Sequence, residues 1–171
     1  MGVVAEPVIV VMGVSGCGKS TIGVLLAGRL ELPYAEGDDY HPTANIQKMA
    51  AGIPLTDEDR APWLAIVAEW LREHRESGGV VACSALRRAY RDQLRAGAPD
   101  AYFVHLAVDR AELVRRLSGR HGHFMPTTLL DSQLATLEPL EPDEAGVTLD
   151  ATVPPELLVT EAIAAWRADH R

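Results

Sequence analysis

The sequence predicts an α/β protein built as a three-layer sandwich, with a parallel five-stranded sheet and helices on both faces. Short β-branched runs alternate with helical patterns along the chain, which is typical of parallel sheets. The first run leads into a glycine-rich loop and then into a helical pattern. At 171 residues, 47% of them hydrophobic, the chain is long enough for a sizeable core. We therefore expect residues 1–171 to form a single domain.

The predicted elements follow from the spacing of apolar residues. Runs rich in β-branched and aromatic residues, bounded by Gly, Pro or polar residues, predict strands. Apolar residues three or four positions apart, as at Ile22, Leu26 and Leu30, predict helices. The strands are expected near Val8–Met12, Tyr34–Glu36, Val80–Cys83, Tyr102–Leu106 and Val147–Leu149. The helices are expected near Lys19–Leu30, Ala44–Ala51, Asp57–Glu76, Arg88–Ala96, Arg110–Leu117, Thr128–Thr136 and Pro155–Arg167.

One helix start and one surface loop have specific signals. The segment Thr56-Asp57-Glu58-Asp59 resembles a capping box with Asp in place of Glu, and acidic residues in a first turn suit the helix dipole. The acidic, proline-containing segment Glu138–Gly146 is too short to separate two domains. We interpret it as a surface loop.

Charge and composition disfavour several classes of partner. The formal net charge is −8 and the arginines are scattered among acidic residues, which argues against a nucleic-acid partner. No apolar stretch approaches the length of a membrane span, so no membrane partner is expected. The first residues show no signal-peptide pattern, so a cytoplasmic location is expected. Cys17 and Cys83 lack the spacing of a zinc site and are expected to be free thiols.

The segment GVSGCGKST matches the phosphate-binding loop, in which backbone N–H groups and a helix N-terminus bind phosphates. Lys19 is expected to bridge the β- and γ-phosphates, and the Ser20 hydroxyl to bind Mg²⁺. The sequence therefore predicts a nucleoside triphosphate site, with the Glu138–Gly146 loop near the base. The nucleotide-binding residues are expected to be Gly13, Val14, Ser15, Gly16, Cys17, Gly18, Lys19, Ser20 and Thr21.

Polar residues crowd the end of the second predicted strand, in the segment EGDDYHP. Ligands of open parallel sheets bind beyond the carboxyl ends of the strands. Phosphoryl transfer needs a carboxylate that orients or deprotonates the attacking hydroxyl, and often a second acid near Mg²⁺. We expect Asp38 to take the first role and Glu36 the second. The alternative is that these acids only cap the next helix, which is the role expected for Asp39.

Arginines follow the third predicted strand, in the segment CSALRRAYRDQLR. At helical spacing Arg87 and Arg91 share one face, whereas Arg88 and Arg95 share another. One pair can therefore face the ligand cleft, where a guanidinium group matches a carboxylate or phosphate in geometry. Arg60 is a further candidate clamp. The alternative is a solvated basic helix face, which is favoured for Arg88 and Arg95.

A cationic segment, RRLSGRHGHFMP, lies between two predicted helices. It resembles the closing lid of small kinases, and we expect a mobile lid over approximately residues 116–128. Arg116 and Arg120 would there stabilise the charge on a transferred phosphoryl group. The alternative is a solvated basic turn. His121 and His123 do not predict zinc, because only two histidines are present and no thiol lies nearby.

Together these segments resemble the gluconokinase family of P-loop sugar-acid kinases, relatives of shikimate kinase and the nucleoside monophosphate kinases. The resemblance extends from Ile9 to about Glu144. Glu36, Arg87 and Leu134 depart from the family pattern, which usually has Asp, Lys and an aromatic residue. The quoted segments are GVSGCGKS, EGDDYHPTANIQKMAAGIPLTDEDRAPWL, CSALRRAYRDQLR, and GHFMP followed by LLDSQLATLEP; the second is the most specific.

The resemblance implies a P-loop kinase that uses ATP and Mg²⁺ to phosphorylate D-gluconate at its 6-hydroxyl, commonly as a homodimer. The product would be 6-phospho-D-gluconate. Asp38 would hold the hydroxyl in line, while Lys19, Mg²⁺, Arg116 and Arg120 stabilise the transferred group. The alternative is another small-molecule P-loop kinase, such as shikimate kinase; a GTPase switch is disfavoured because no N-K-x-D motif is present. Candidates for binding the sugar acid are Asp38, His41, Lys48, Arg60, Arg87, Tyr90, Arg91 and His123, with Arg91 as the leading carboxylate clamp.

Overall fold

A computed structural model describes residues 6–118 and 127–170, and within these residues five strands alternate with helices. The strands are β1 Val8–Met12, β2 Tyr34–Glu36, β3 Gly79–Ala82, β4 Tyr102–Ala107 and β5 Gly146–Asp150. The helices are α1 Lys19–Leu30, α2 Thr43–Ala50, α3 Asp57–Glu73, α4 Arg88–Gly97, α5 Arg110–Ser118, α6 Thr127–Thr136 and α7 Pro155–Asp169. A 3₁₀ helix, Gly37–Tyr40, directly follows β2 and has no counterpart among the predicted elements.

The strand order across the sheet is β2-β3-β1-β4-β5, and all neighbouring pairs are parallel. At the centre, Val10 of β1 lies opposite Val81 of β3 on one side and Phe103 of β4 on the other. All residues of β1 are buried, as expected for a strand whose sheet is covered on both faces. This arrangement confirms the predicted α/β fold. It also brings the loops that follow β1, β2 and β3 to one edge of the sheet, where ligands bind in such folds.

Two hydrophobic cores lie on opposite faces of the sheet, because successive side chains of a strand point to opposite sides. Ile9 and Val11 of β1 pack into one core with residues of α1 and α7. Val8, Val10 and Met12 pack into the other core with residues of α3 and α4. The alternation of side chains along β1 therefore places its residues in two cores, each covered by a different pair of helices.

The start of α3 has the predicted cap. The N–H of Asp59 donates to Thr56 Oγ1 at 3.1 Å, and the N–H of Thr56 donates to Asp59 Oδ2 at 2.9 Å. The end of α3 differs from the prediction, since the helix stops at Glu73 and not at Glu76. The chain turns there toward β3 through Gly78, whose φ of +88° favours glycine. The N–H of Gly78 donates to the carbonyl of His74 at 2.8 Å and closes the turn.

Other sequence-based expectations concern the thiols and the membrane. Cys17 and Cys83 are free and buried, as predicted for the thiols. Burial raises the pKa of the Cys83 thiol to about 12. Among the described helices, none combines the length and the apolar composition that crossing a bilayer requires.

Candidate active site

The loop between β1 and α1 has the backbone form that the phosphate-binding motif requires. Gly13 adopts a φ of +147°, and a Cβ atom there would lie 2.6 Å from Cys17 Sγ. Gly18, at the N-terminal cap of α1, has a φ of +101°. Side chains are strained in these conformations, so both positions require glycine. The loop presents the positive end of the α1 dipole to the mouth of the site.

Lys19 and Ser20 begin α1 directly beside this loop. The Lys19 ammonium donates to the carbonyl oxygens of Gly13 and Val14 at 2.9 and 3.1 Å. The Ser20 hydroxyl donates to Glu36 Oε2. The first turn of α1 and the end of β2 are thus joined by a hydroxyl and a carboxylate.

Glu36 is held by a second hydroxyl, that of Tyr34, which donates to the same Oε2 atom at 2.8 Å. Burial, together with the hydrogen bond to Glu36, raises the pKa of Tyr34, so its phenol stays protonated and remains a donor. Hard oxygen atoms of Ser20 and Glu36 fit a magnesium ion. Within the described ranges no three His, Cys, Asp or Glu side chains cluster as a metal site, so phosphate and water would supply the other ligands.

Two neighbouring pockets open at this edge of the sheet. We call the first the phosphate pocket; it is lined by the loop residues Ser15, Gly16, Gly18, Lys19, Ser20 and Thr21 together with Asp38. We call the second the acceptor pocket; its lining includes Ser15, Lys19, Asp38, His41, Arg60, Trp63, Ser132 and Gln133. Ser15, Lys19 and Asp38 line both pockets. These three side chains therefore stand where the two spaces meet.

The Asp38 side chain is 66% exposed and its Oδ1 lies 3.8 Å from Nε2 of His41. His41 is buried and stacks on Trp63, with ring centroids 4.0 Å apart. Asn45 Nδ2 contacts His41 Nδ1 at 3.2 Å and donates to the carbonyl of Asp59 at 2.9 Å. Nδ1 of His41 is therefore an acceptor, and the neutral ring carries its proton on Nε2, facing Asp38. Burial lowers the pKa of His41, which favours this neutral form.

Arg60 is the arginine that lines the acceptor pocket. Its side chain is 14% exposed, and Nη1 donates to the carbonyl of Leu55 at 2.8 Å and to the hydroxyl of Tyr90 at 2.9 Å. The Tyr90 hydroxyl in turn donates to Asp57. Within residues 6–118 and 127–170 only Nη1 of Arg60 is hydrogen-bonded, so Nε and Nη2 are available to a ligand.

The structure contradicts the prediction that Arg91 binds the substrate carboxylate. Its side chain is fully buried, and it donates to both carboxylate oxygens of Glu144 at 2.7 and 3.0 Å. Nη1 also donates to the carbonyl of Ala85 and Nη2 to that of Pro139. Every guanidinium nitrogen is therefore used inside the protein.

Three other predicted substrate contacts lie outside the lining of the acceptor pocket. Lys48 Nζ donates to Asp59 Oδ2 at 2.8 Å. The hydrogen bond from Lys48 lowers the pKa of Asp59 to about 2. Arg87 is half-buried at the N-terminal cap of α4, and Tyr90 contacts Arg60 instead of the pocket. None of these three residues lines the acceptor pocket.

Arg116 is also placed differently from its prediction. Its Nη1 donates to the carbonyls of Gly16 and Cys17, and its Nη2 to the carbonyl of Ala151 at 2.8 Å. A phosphate binds the N–H groups on the inner side of the loop, so a guanidinium bonded to carbonyl oxygens lies on the outer side. There Arg116 borders a third pocket, lined also by Ile22 and Leu158. The other predicted lid arginine, Arg120, and the substrate candidate His123 lie outside the described residues.

None of the residues of the Glu138–Gly146 loop lines the third pocket. This pocket, beside the phosphate-binding loop, is bordered by the turn 151–155 between β5 and α7. The Glu138–Gly146 loop instead contacts α4, where Arg88 pairs with Glu141 and Asp143. The acidic residues of the loop thus pair with the arginines of α4.

Sequence reasoning missed the role of Gln133 in α6. Gln133 Oε1 accepts a hydrogen bond from the N–H of Ser15 at 2.8 Å, and Nε2 donates to Ser15 Oγ at 3.2 Å. Gln133 belongs to the LLDSQLATLEP segment that carries part of the resemblance, but nothing in that segment alone indicates its partner. The two residues are separated by 118 positions.

Several known proteins resemble this chain over most of its length. A family model described as shikimate kinase matches residues 15–140. The gluconokinase of Gluconobacter oxydans is 48% identical over 163 residues, which cover 94% of this chain and 92% of that protein. The chain belongs to the gluconokinase family. The thermosensitive gluconokinase of Escherichia coli is 44% identical over 140 residues, which cover 81% of this chain and 75% of that protein.

Solved structures extend the comparison to the fold of the gluconokinase family. A gluconokinase from Sinorhizobium meliloti is 47% identical and superposes with a TM-score of 0.89, covering 96% of this chain and 94% of that one. A shikimate kinase from Aquifex aeolicus is 15% identical with a TM-score of 0.63, covering 94% and 96% of the two chains. The second likeness shows only the shared fold. The first agrees with the family that the sequence motifs predict.

Proposed function

We propose that this member of the gluconokinase family transfers the γ-phosphoryl group of ATP to the 6-hydroxyl of D-gluconate, giving 6-phospho-D-gluconate and ADP. One observation carries the proposal. Asp38, Lys19 and Ser15 line both the phosphate pocket and the acceptor pocket. A carboxylate and an ammonium at the junction of two pockets are the groups that phosphoryl transfer between two bound molecules needs.

Asp38 accepts the proton of the attacking hydroxyl. As the oxygen of the acceptor bonds to the γ-phosphorus, the bond between that phosphorus and the bridging oxygen breaks, and ADP leaves with the electron pair. The hydroxyl proton passes to the Asp38 carboxylate, which is 66% exposed and open to the acceptor pocket. Lys19 neutralises charge on the β- and γ-phosphates as the group moves.

Ser20 and Glu36 would hold a Mg²⁺ ion beside the phosphates. Their oxygens suit this hard cation, and the hydrogen bond between them keeps both at the mouth of the phosphate-binding loop. When bound, the ion supplies positive charge that stabilises the β- and γ-phosphate oxygens. The third pocket, with Arg116, Ile22 and Leu158, supports a placement of the adenine there.

Arg60 and His41 recognise the acceptor. Nε and Nη2 of Arg60 form a fork that fits the carboxylate of a sugar acid, while Nη1 is fixed by Leu55 and Tyr90. His41 presents Nε2–H close to Asp38, where it can donate to a hydroxyl of the acceptor. The cation at one end and the base at the other select a molecule with a carboxylate and a terminal alcohol.

The test is an ADP-release assay with a panel of acceptors: gluconate, shikimate, AMP, CMP and no acceptor. ADP should form rapidly with gluconate and Mg²⁺, and slowly without an acceptor, because a correct substrate completes the closed site. Mass spectrometry of the product should show phosphorylated gluconate. Equal turnover with and without gluconate, or faster turnover with shikimate, would contradict the proposal.

Three further expectations remain predictions. The homodimer that the resemblance implies can be tested by size-exclusion chromatography with light scattering. The cytoplasmic location can be tested in the cell. The lid expected over approximately residues 116–128 can be tested on the liganded protein.

A further inference from the structure

Gln133 and Ser15 form a pair that links α6 to the phosphate-binding loop. The carboxamide of Gln133 forms two hydrogen bonds with Ser15. It accepts from the Ser15 N–H at 2.8 Å and donates to Ser15 Oγ at 3.2 Å. Both residues are half-buried and both line the acceptor pocket. A carboxamide carries an acceptor oxygen and a donor nitrogen, so it can make both hydrogen bonds at once.

This contact determines what the Ser15 hydroxyl can do. Its oxygen accepts the hydrogen bond from Gln133 Nε2, and its own proton is left to donate to another acceptor. In the part of the chain that the structure describes, the hydroxyl donates to no protein atom. Ser15 also lines the phosphate pocket, so the hydroxyl lies at the wall that the two pockets share.

We propose that the Ser15 hydroxyl donates a hydrogen bond to the phosphoryl group as that group passes between the pockets, and that Gln133 is the positioning residue that orients it. The inference rests on the phosphoryl transfer proposed above. Ser15 keeps its proton throughout, because Asp38 takes the proton of the acceptor. A donor aimed at charge that develops in the transition state lowers the barrier without strengthening ground-state binding.

Four variants test the pair: Ser15→Ala, Gln133→Leu, the double variant, and Gln133→Glu. Ser15→Ala should lower kcat about 10²-fold, as the loss of a preorganised donor does. Gln133→Leu should lower kcat about 10-fold, since an unoriented hydroxyl still donates part of the time. The introduced carboxylate of Gln133→Glu should also lower kcat, because it attracts the hydroxyl proton. KM for gluconate and the Kd for ADP should stay near their wild-type values.

The double variant distinguishes a positioning role from a structural one. If Gln133 acts through the Ser15 hydroxyl, the double variant should lose no more kcat than Ser15→Ala alone. Thr136→Val is the matched control on α6, because Thr136 Oγ1 donates to the carbonyl of Ser132 in its own helix. This control should keep the wild-type kcat.

Several results would overturn the inference. Additive losses in the double variant would show that Gln133 acts independently of Ser15. A raised KM for gluconate at unchanged kcat would make Gln133 a direct acceptor contact. If Gln133→Leu fails to fold, Ser15→Ala and Gln133→Glu still decide, and a wild-type kcat in both would refute the proposal. Failure of the wild-type protein on gluconate would instead count against the proposed acceptor, and the variants would then be measured with the acceptor that is turned over.

Discussion

Arg60 and Arg91 differ in what their guanidinium groups contact, although the sequence suggested both as clamps for the acceptor. Arg91 is fully buried and saturated by Glu144 and two backbone carbonyls. Arg60 keeps two nitrogens free of hydrogen bonds within the described residues and lines the acceptor pocket. A buried, saturated arginine holds the protein together, whereas one aimed into a pocket can recognise a ligand.

The first residue-scale prediction concerns Arg60. Arg60→Gln should lower kcat/KM for gluconate about 10²-fold, because a hydrogen bond to a charged carboxylate is lost. The low kcat/KM for an uncharged polyol such as sorbitol should barely change, so the ratio of kcat/KM for gluconate to that for the polyol should fall. Steady-state kinetics with both substrates measure this. Arg88→Gln, which removes an exposed ion pair away from the pocket, is the control. An equal loss for both substrates would mean that Arg60 does not contact the carboxylate.

The second residue-scale prediction concerns Asp38. Asp38→Asn should lower kcat about 10²-fold or more, the usual scale for a positioned acid–base group. ADP binding should persist, since the phosphate-binding loop is unchanged. Calorimetric titration with ADP and single-turnover kinetics separate the two effects. Asp39→Asn, one residue further along the same 3₁₀ helix and outside both pocket linings, should keep its activity. Near-normal kcat for Asp38→Asn would assign the role of base to another group.

At the scale of elements, a buried ion-pair network holds α4 against the segment that follows α6. Glu144 is buried and accepts hydrogen bonds from Arg91, from Arg95 and from the N–H of Glu141. Burial by itself would raise the pKa of Glu144, but these hydrogen bonds lower it to about 2. The carboxylate therefore stays charged and pairs with Arg91 at all pH values at which an enzyme assay is run.

Glu144→Gln should destabilise the protein by about 3–5 kcal/mol, because it leaves the buried charge of Arg91 uncompensated. The free energy of unfolding in urea measures this effect. Asp143→Asn is the matched control, since Asp143 is exposed and pairs with Arg88 at the surface, and it should change the stability much less. The folded fraction of Glu144→Gln should keep a kcat near wild type. Equal effects of the two substitutions would show that burial does not decide the strength of these pairs.

At the scale of the whole molecule, one buried histidine links stability to pH. His105 of β4 is buried, and its Nδ1 has no hydrogen-bond partner among the residues that the structure describes. Burial, with a smaller contribution from the charge of Arg91, lowers the pKa of His105 to about 4. The folded protein therefore favours the neutral ring.

The sign of the pH effect follows from that lowered value. Above the unfolded pKa of about 6.5 the neutral ring carries its full stabilising effect, which is lost as the pH falls toward 4. We expect the free energy of unfolding to decrease by up to about 1.4 kcal/mol per pH unit over this range from His105 alone. His105→Leu should reduce the slope of the free energy of unfolding against pH, as measured by urea unfolding between pH 7 and pH 5. An unchanged slope would assign the acid sensitivity to other groups, such as His41.

The sequence by itself determined the features that depend on neighbouring residues. Gly13 and Gly18 of the phosphate-binding loop, the cap at Thr56 and the strands of the sheet follow from backbone sterics, local hydrogen bonds and the periodicity of apolar residues. The loop, the cap and the apolar pattern within each strand involve residues a few positions apart, so a short segment contains the information that predicts them. The placement of Asp38 after a strand end was predictable for the same reason.

Only the tertiary structure decided which arginine faces the acceptor pocket and what holds the phosphate-binding loop. Arg91 is saturated by Glu144, 53 positions away, and Ser15 is hydrogen-bonded to Gln133, 118 positions away. Helical spacing shows that Arg87 and Arg91 share a face, but it does not show what packs against that face. Arg116 likewise lies behind the loop because Ala151 accepts its hydrogen bond there. The free energy of a charged side chain depends on the partners that the fold brings to it, and those partners come from distant parts of the chain.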